Sequence, residues 1–142
     1  MKIALEEAQR AFEEDEVPVG ACIIQGGQLI SVGHNRREQK QKITSHAEIE
    51  AIQKASRVLG SWRLEGCDLY VTLEPCLMCA GAIISSRIDR LVIGAKGPKM
   101  GCCGSTMNLL DNPNFNHRVD ITFGILEEEC SQIMKDFFND KI

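Results

Sequence analysis

No apolar run in this chain approaches the length of a membrane span, which excludes a transmembrane helix. The first residues, Met1-Lys2-Ile3-Ala4-Leu5-Glu6-Glu7, lack the continuous apolar stretch of a signal peptide, so a cytoplasmic protein is the expectation. Basic excess is absent as well. Sixteen Lys and Arg stand against 20 Asp and Glu, a net charge of −4. That argues against a generic nucleic-acid coat and leaves room only for a small basic patch beside a pocket. There is no linker, repeat or low-complexity segment, and 142 residues are expected to form one domain, 1–142, large enough for a core without staples. Cysteines number seven, at 22, 67, 76, 79, 102, 103 and 130. An odd count in an intracellular protein does not form a disulfide framework, and most of them read as small buried hydrophobes. The adjacent pair in Gly101-Cys102-Cys103-Gly104 reads as a tight loop that needs small side chains.

What is present is a regular alternation of elements. Ile3, Ala4, Ala8, Ala11 and Phe12 fall at helical spacing and predict an amphipathic helix over 2–14, ended before Pro18. Val19–Ile24 and 28–33 predict strands joined by a Gly26-Gly27 hairpin turn. Residues 34–44 read as a basic loop, and His46–Leu59 as a helix closed by Gly60. A buried strand (Asp68–Leu73), a small-residue helix (Cys76–Ser86) and a strand (Arg90–Gly94) follow. Residues 95–117 read as loop with a short helix near Ser105–Leu110, then a strand (Val119–Phe123) and a closing helix (Leu126–Phe138). The pattern predicts an α/β domain of three layers, with an antiparallel hairpin joined to parallel strands.

Two stretches carry chemistry: His46-Ala47-Glu48 and, beyond 26 intervening residues, Pro75-Cys76-Leu77-Met78-Cys79. Cys76 and Cys79, three apart, put both sulfurs on one side of a first helical turn. The positive end of a helix favours thiolates there. His46 supplies a third ligand, and the set suits Zn²⁺. Three protein ligands leave the fourth tetrahedral position for water, as in catalytic zinc sites. Glu48 lies two positions past His46, at another angle around its helix, free to act as a proton shuttle. It would take a proton from water, pass one to a ring nitrogen of a base, and protonate departing ammonia. H-x-E followed by P-C-x-x-C is the signature of zinc-dependent base deaminases. Each piece alone has a plainer reading. C-x-x-C also serves redox chemistry or structural zinc. Ser45-x-x-Glu48 also matches a capping box. Only together do they single out the catalytic site.

Nearly end to end, the chain resembles the bacterial tRNA-specific adenosine deaminases of the cytidine deaminase superfamily. The matching stretches are Glu16-Val17-Pro18-Val19-Gly20-Ala21, Gly33-His34-Asn35, His46-Ala47-Glu48, Tyr70 through Ala82, and Gly124-Ile125-Leu126. The resemblance implies a cytidine deaminase-like α/β/α fold with a five-stranded mixed sheet flanked by helices. It implies one Zn²⁺ per subunit on His46, Cys76 and Cys79, with Glu48 as the catalytic shuttle. It also implies a homodimer acting on the wobble adenosine of a tRNA anticodon loop, which becomes inosine. Asn35 would hydrogen-bond the flipped nucleotide and the Ala47 backbone would help read the base. Arg36, Arg37, Lys40 and Lys42 form a cluster that could meet phosphate, as could Lys96, Lys99 and Arg118 elsewhere; singly, each reads as a solvated charge. Phe137-Phe138 offer either a stacking face, chiefly at Phe138, or two core rings. His34 and His117 read as surface or packing residues. One departure stands out: relatives carry a basic-acidic pair where this chain has Lys96-Gly97. Three rivals remain at this level: a deaminase of a free nucleoside, nucleotide or base (cytidine, deoxycytidylate or guanine), a non-catalytic zinc-stabilised binding module, and a thiol oxidoreductase using Cys76 and Cys79.

Overall fold

The computed structural model describes residues 1–139. In chain order they form α1 (Lys2–Glu13), β1 (Gly20–Gln25), β2 (Gln28–His34), α2 (Arg37–Lys40), α3 (Ala47–Leu59), β3 (Cys67–Leu73), α4 (Leu77–Ser85), β4 (Arg90–Ala95), β5 (Asp120–Phe123) and α5 (Glu127–Asn139). Gly26 and Gly27 both take positive φ, 56° and 79°, the geometry that a two-residue hairpin turn demands.

The strands order as β2-β1-β3-β4-β5. β1 is antiparallel to both β2 and β3, while β3–β4 and β4–β5 are parallel. Four strands therefore point one way and deliver their carboxyl ends to one edge of the sheet, where ligands bind in open α/β sheets. α1 and α5 cover one face; α3 and α4 cover the other. The register explains the division. Gly20 pairs with His34 toward α1, and Ala21 pairs with Gly33 toward α3. Between the sheet and α3–α4, Ile23, Leu69, Val71, Leu91 and Ile93 meet Ala51, Ala55 and Ile83, all fully buried. Each large side chain there contributes roughly 1.5–3 kcal/mol of burial. Gly33 lets α3 lie close against β2: a Cβ on it would sit 2.5 Å from the Ala47 carbonyl oxygen and 2.7 Å from the Ala51 nitrogen.

Two expectations need correcting. The basic loop of 34–44 contains the short helix α2, because the buried Glu16 carboxylate accepts bonds from the Glu38 and Gln39 amides (3.1 and 2.7 Å) and so satisfies a helix start. The short helix expected near Ser105–Leu110 is absent. There the chain doubles back on itself through a Cys103–Asn108 bridge and a bond from the Gly104 amide to the Met107 carbonyl (2.9 Å). Other boundaries differ by a residue or two. Of these, the shift at His46 and Cys76 matters, since both stand just before their helices as N-caps.

Candidate active site

Burying a carboxylate, two thiols and an imidazole together needs backbone support, and the helix starts supply it. His46 precedes α3 with extended backbone, and Cys76 precedes α4 in the same way. Cys79 occupies the first turn of α4 and is fully buried. His46 Nδ1 lies 3.7 Å from Cys76 Sγ and 3.6 Å from Cys79 Sγ. In a tetrahedron with Zn–S of about 2.3 Å and Zn–N of about 2.0–2.1 Å, nitrogen and sulfur stand roughly 3.6 Å apart. The donor set and its spacing thus fit Zn²⁺ as they stand. Among the described residues these three are the group of His, Cys, Asp or Glu donors that could hold a metal, and Glu48 is not part of it.

The electrostatics are strongly coupled. A hydrogen bond from the Cys79 thiol holds Cys76 well below the ordinary thiol range, with His46 adding to it against the opposing effect of burial. The same bond, together with burial, pushes Cys79 up. His46 is raised by its bond to Cys76. Burial pushes Glu48 up to about 7, against the lowering effect of its own backbone amide and of His46. A carboxyl in that range can both take and give a proton near neutrality.

His46, Glu48 and Cys76 border a pocket of about 250 Å³, with Cys79 buried behind them. Val17, Val19 and Leu73 give it apolar walls; Asn35, Arg37, Glu48 and Glu74 give it polar ones. Asn35 follows β2, is buried, and donates its backbone N–H to the Val19 carbonyl (3.1 Å), but its side-chain Oδ1 has no partner. An unpaired buried acceptor costs about 1–3 kcal/mol, so a ligand that donates to it gains that much advantage. Ala47, buried at the first position of α3, also faces the pocket.

The cationic candidates part company. Arg37 lines the pocket. Arg36 is tied to Gln39 (3.0 Å) and Lys40 to the buried Glu50 (2.8 Å). Away from the pocket, Arg118 pairs with Asp111 (3.7 Å), and Lys96 lies 5.9 Å from the centre of the Phe123 ring. Phe137 is buried edge-on against Phe12, whereas Phe138 is exposed and packs its edge on Phe137; neither lines the pocket. His34 is held between Glu7 (3.0 Å) and Glu14 (2.8 Å), and His117 against the Ile88 carbonyl (2.7 Å), both packing roles as expected. The capping-box reading of Ser45 and Glu48 fails, since His46 is the N-cap and no side chain caps α3. Cys22, Cys67, Cys102, Cys103 and Cys130 are free and buried.

Sequence reasoning passed over Glu74, Met100 and Gly101 as site residues, although all three line the pocket. The signal was there in part: an acid directly before Pro75, and a glycine-bounded loop after the strand that runs beside β3. Burial pushes Glu74 upward, yet bonds from Ser105, Gly97 and Cys103 outweigh it and hold the carboxyl below its ordinary value. The two carboxyl groups of the pocket thus stand in opposed environments, Glu48 raised by burial and Glu74 lowered by its hydrogen bonds.

A three-donor metal group beside a separate, proton-accepting carboxyl, in a pocket sized for one flat ring, belongs to the hydrolases that strip amino groups from bases. Comparison with known proteins narrows that class. The family model described as MafB19-like deaminase matches residues 1–141. The tRNA-specific adenosine deaminase of Bacillus subtilis (strain 168) is 49% identical over 140 residues, 99% of this chain and 87% of that one. Its counterpart in Aquifex aeolicus (strain VF5) is 49% identical over 138 residues, 97% of this chain and 91% of that one. A solved structure from work on A-to-I editing by tRNA:A34 deaminases superposes with a TM-score of 0.91 at 45% identity, covering 94% of this chain and 96% of that one. A guanine deaminase from Nitrosomonas europaea gives 0.79 at 25% identity, with 94% and 80% covered. The chain therefore belongs to the MafB19-like deaminase family, in the branch of the tRNA-specific adenosine deaminases.

Proposed function

We propose that this chain hydrolyses the wobble adenosine of a tRNA anticodon loop to inosine, releasing ammonia, as one deaminase domain in the cytoplasm. The observation that carries the reading is the triangle of His46 Nδ1 with the two sulfurs at 3.6 and 3.7 Å, beside a buried Glu48 in the same pocket. Relatives near 49% identity over almost the whole chain support the substrate.

His46, Cys76 and Cys79 would hold Zn²⁺, whose Lewis acidity makes water easier to deprotonate near neutral pH. Glu48 accepts a proton from the attacking water and delivers one to the ring nitrogen beside the carbon under attack. The water oxygen bonds to the carbon bearing the exocyclic amine; Glu48 then moves the second proton of that oxygen to the amino group, the C–N bond breaks, and ammonia leaves as the carbonyl forms. Asn35 Oδ1 accepts a hydrogen bond from the flipped nucleotide, which relieves its unpaired state. The Ala47 backbone reads the base edge. Val17, Val19 and Leu73 clamp the ring and exclude bulk water. Arg37, at the pocket rim and half-exposed, takes a phosphate. Arg36 and Phe138 stand further out as candidate contacts to the rest of the loop.

A homodimer is part of the proposal. α4 is built almost wholly of apolar and small residues, yet it leaves Leu77 exposed and has open space outside Gly81. Sedimentation should give twice the chain mass.

The decisive assay incubates zinc-loaded protein with tRNA carrying a wobble adenosine, and separately with cytidine, deoxycytidylate and guanine. Inosine mapped to the anticodon supports the proposal. Rapid turnover of a free compound with no inosine in tRNA would replace it with the free-base reading.

A further inference from the structure

The chain from β4 to β5 runs through residues 96–119 without a regular helix or strand, and it builds one wall of the pocket with Gly97, Met100 and Gly101. A connection of that length holds one shape only if it is tied down. At the pocket the main tie is one side chain. Glu74 Oε1 accepts from the Gly97 amide (3.1 Å) and from the Ser105 hydroxyl; Oε2 accepts from the amides of Cys103 (3.0 Å) and Ser105 (3.0 Å). All of its acceptor positions are thereby occupied, by donors from three separate points on the loop. The loop backbone also sits directly on the carboxylate: a Cβ on Gly101 would lie 2.6 Å from Glu74 Oε2 and 2.5 Å from the Gly97 carbonyl. A second tie runs beside the first, from the Cys102 amide to the Pro75 carbonyl (2.9 Å). Both anchors belong to the short segment between β3 and α4 that ends at Cys76.

We infer that Glu74 is a positioning residue for substrate: its carboxylate moulds the loop of 97–106 into the pocket wall and locks that wall to the segment carrying the metal ligand Cys76. It lines the pocket without acting on substrate, because no acceptor capacity is left for a substrate proton. The kinetic part of this inference rests on the proposed deaminase activity; the structural part does not.

The test uses the full zinc-loaded chain with Glu74→Gln, Ser105→Ala and Gly101→Ala. Glu74→Gln turns one acceptor atom into a donor, facing the Gly97 amide at one position or the Cys103 and Ser105 amides at the other, so the loop loses at least one amide anchor. Amide hydrogen exchange should speed up across 97–106 and stay unchanged in α3, with zinc still at one per chain. KM for tRNA should rise by about tenfold or more with kcat changed much less, the pattern of lost binding and not of lost chemistry. Ser105→Ala, which keeps the charge and the three amide donors, should do the same more weakly. Gly101→Ala, whose added carbon presses the loop off the carboxylate, should match Glu74→Gln while leaving the carboxyl group chemically intact. Unchanged exchange in 97–106 would overturn the inference even if activity falls. A kcat loss at constant KM would make Glu74 catalytic instead. Loss of zinc with faster exchange throughout α3 and α4 would make it a general structural residue, and if Glu74→Gln does not fold, the milder Ser105→Ala still decides. Exchange that responds as expected in a protein making no inosine would leave the positioning role standing and sink the tRNA-substrate assignment alone.

Discussion

Gly33→Ala places one methyl group where β2 meets α3. The added carbon would start 2.5 Å from the Ala47 carbonyl oxygen and 2.7 Å from the Ala51 nitrogen. Ordinary contact needs roughly 3.4 Å or more, so α3 must retreat from the sheet by about 1 Å. Neither side can yield by rotating a side chain, because both atoms are helix backbone. The Ser31 hydroxyl, which donates to the Ala51 carbonyl at 2.7 Å, is stretched by the same movement. Overpacking of this kind costs about 1–3 kcal/mol. For a chain of this size that lowers Tm by roughly 3–12 °C. The functional effect should exceed the stability effect. His46 and Glu48 ride on α3, whereas Cys76 and Cys79 ride on α4. A displacement of about 1 Å between catalytic groups can cost about a hundredfold in rate. Calorimetry, zinc stoichiometry and single-turnover inosine formation on the variant measure all three quantities. A variant with native Tm and native turnover would refute the claim that Gly33 sets the spacing between the two helices that position the donor groups.

Glu48→Gln keeps the volume and removes the proton acceptor, so turnover should drop by about 10²–10⁴-fold with zinc still bound; loss of the metal along with activity would show that Glu48 is a ligand. Cys79→Ser should abolish stoichiometric zinc and remove the rise in Tm that added zinc gives the native chain, because binding energy is partly folding energy; unchanged zinc content contradicts the ligand set. Asn35→Ala deletes a buried acceptor that has no partner, so Tm should hold while KM for tRNA rises by about tenfold; a large stability loss with unchanged KM would make Asn35 a core residue.

Much of this molecule was legible in its residues because the relevant forces are local. Gly26-Gly27 forces a hairpin turn whatever lies around it, and Ala4, Ala8 and Ala11 mark a buried stripe by spacing alone. His46-Ala47-Glu48 and Cys76-x-x-Cys79 were readable for a related reason: metal ligation demands particular atoms at particular spacings. What escaped was set by distant partners. The α2 turn depends on Glu16, more than 20 residues away, capping the amides of Glu38 and Gln39. The expected helix at Ser105–Leu110 lost to a Glu74 carboxylate that captures the amides of Cys103 and Ser105. Lys40, one member of a basic cluster that could meet phosphate, is paired with the buried Glu50 instead.

The sequence by itself determined the order of the strands and the longer helices, the donor chemistry and the presence of a carboxyl outside the donor set, since propensity, periodicity and ligand type are properties of residues and near neighbours. Only the tertiary structure decided which cations remain open to a substrate, which carboxylate titrates and which stays locked, and how a long irregular loop becomes a pocket wall. Those outcomes turn on burial and on contacts between residues tens of positions apart, and such contacts exist only once the sheet has brought the strand ends to a common edge.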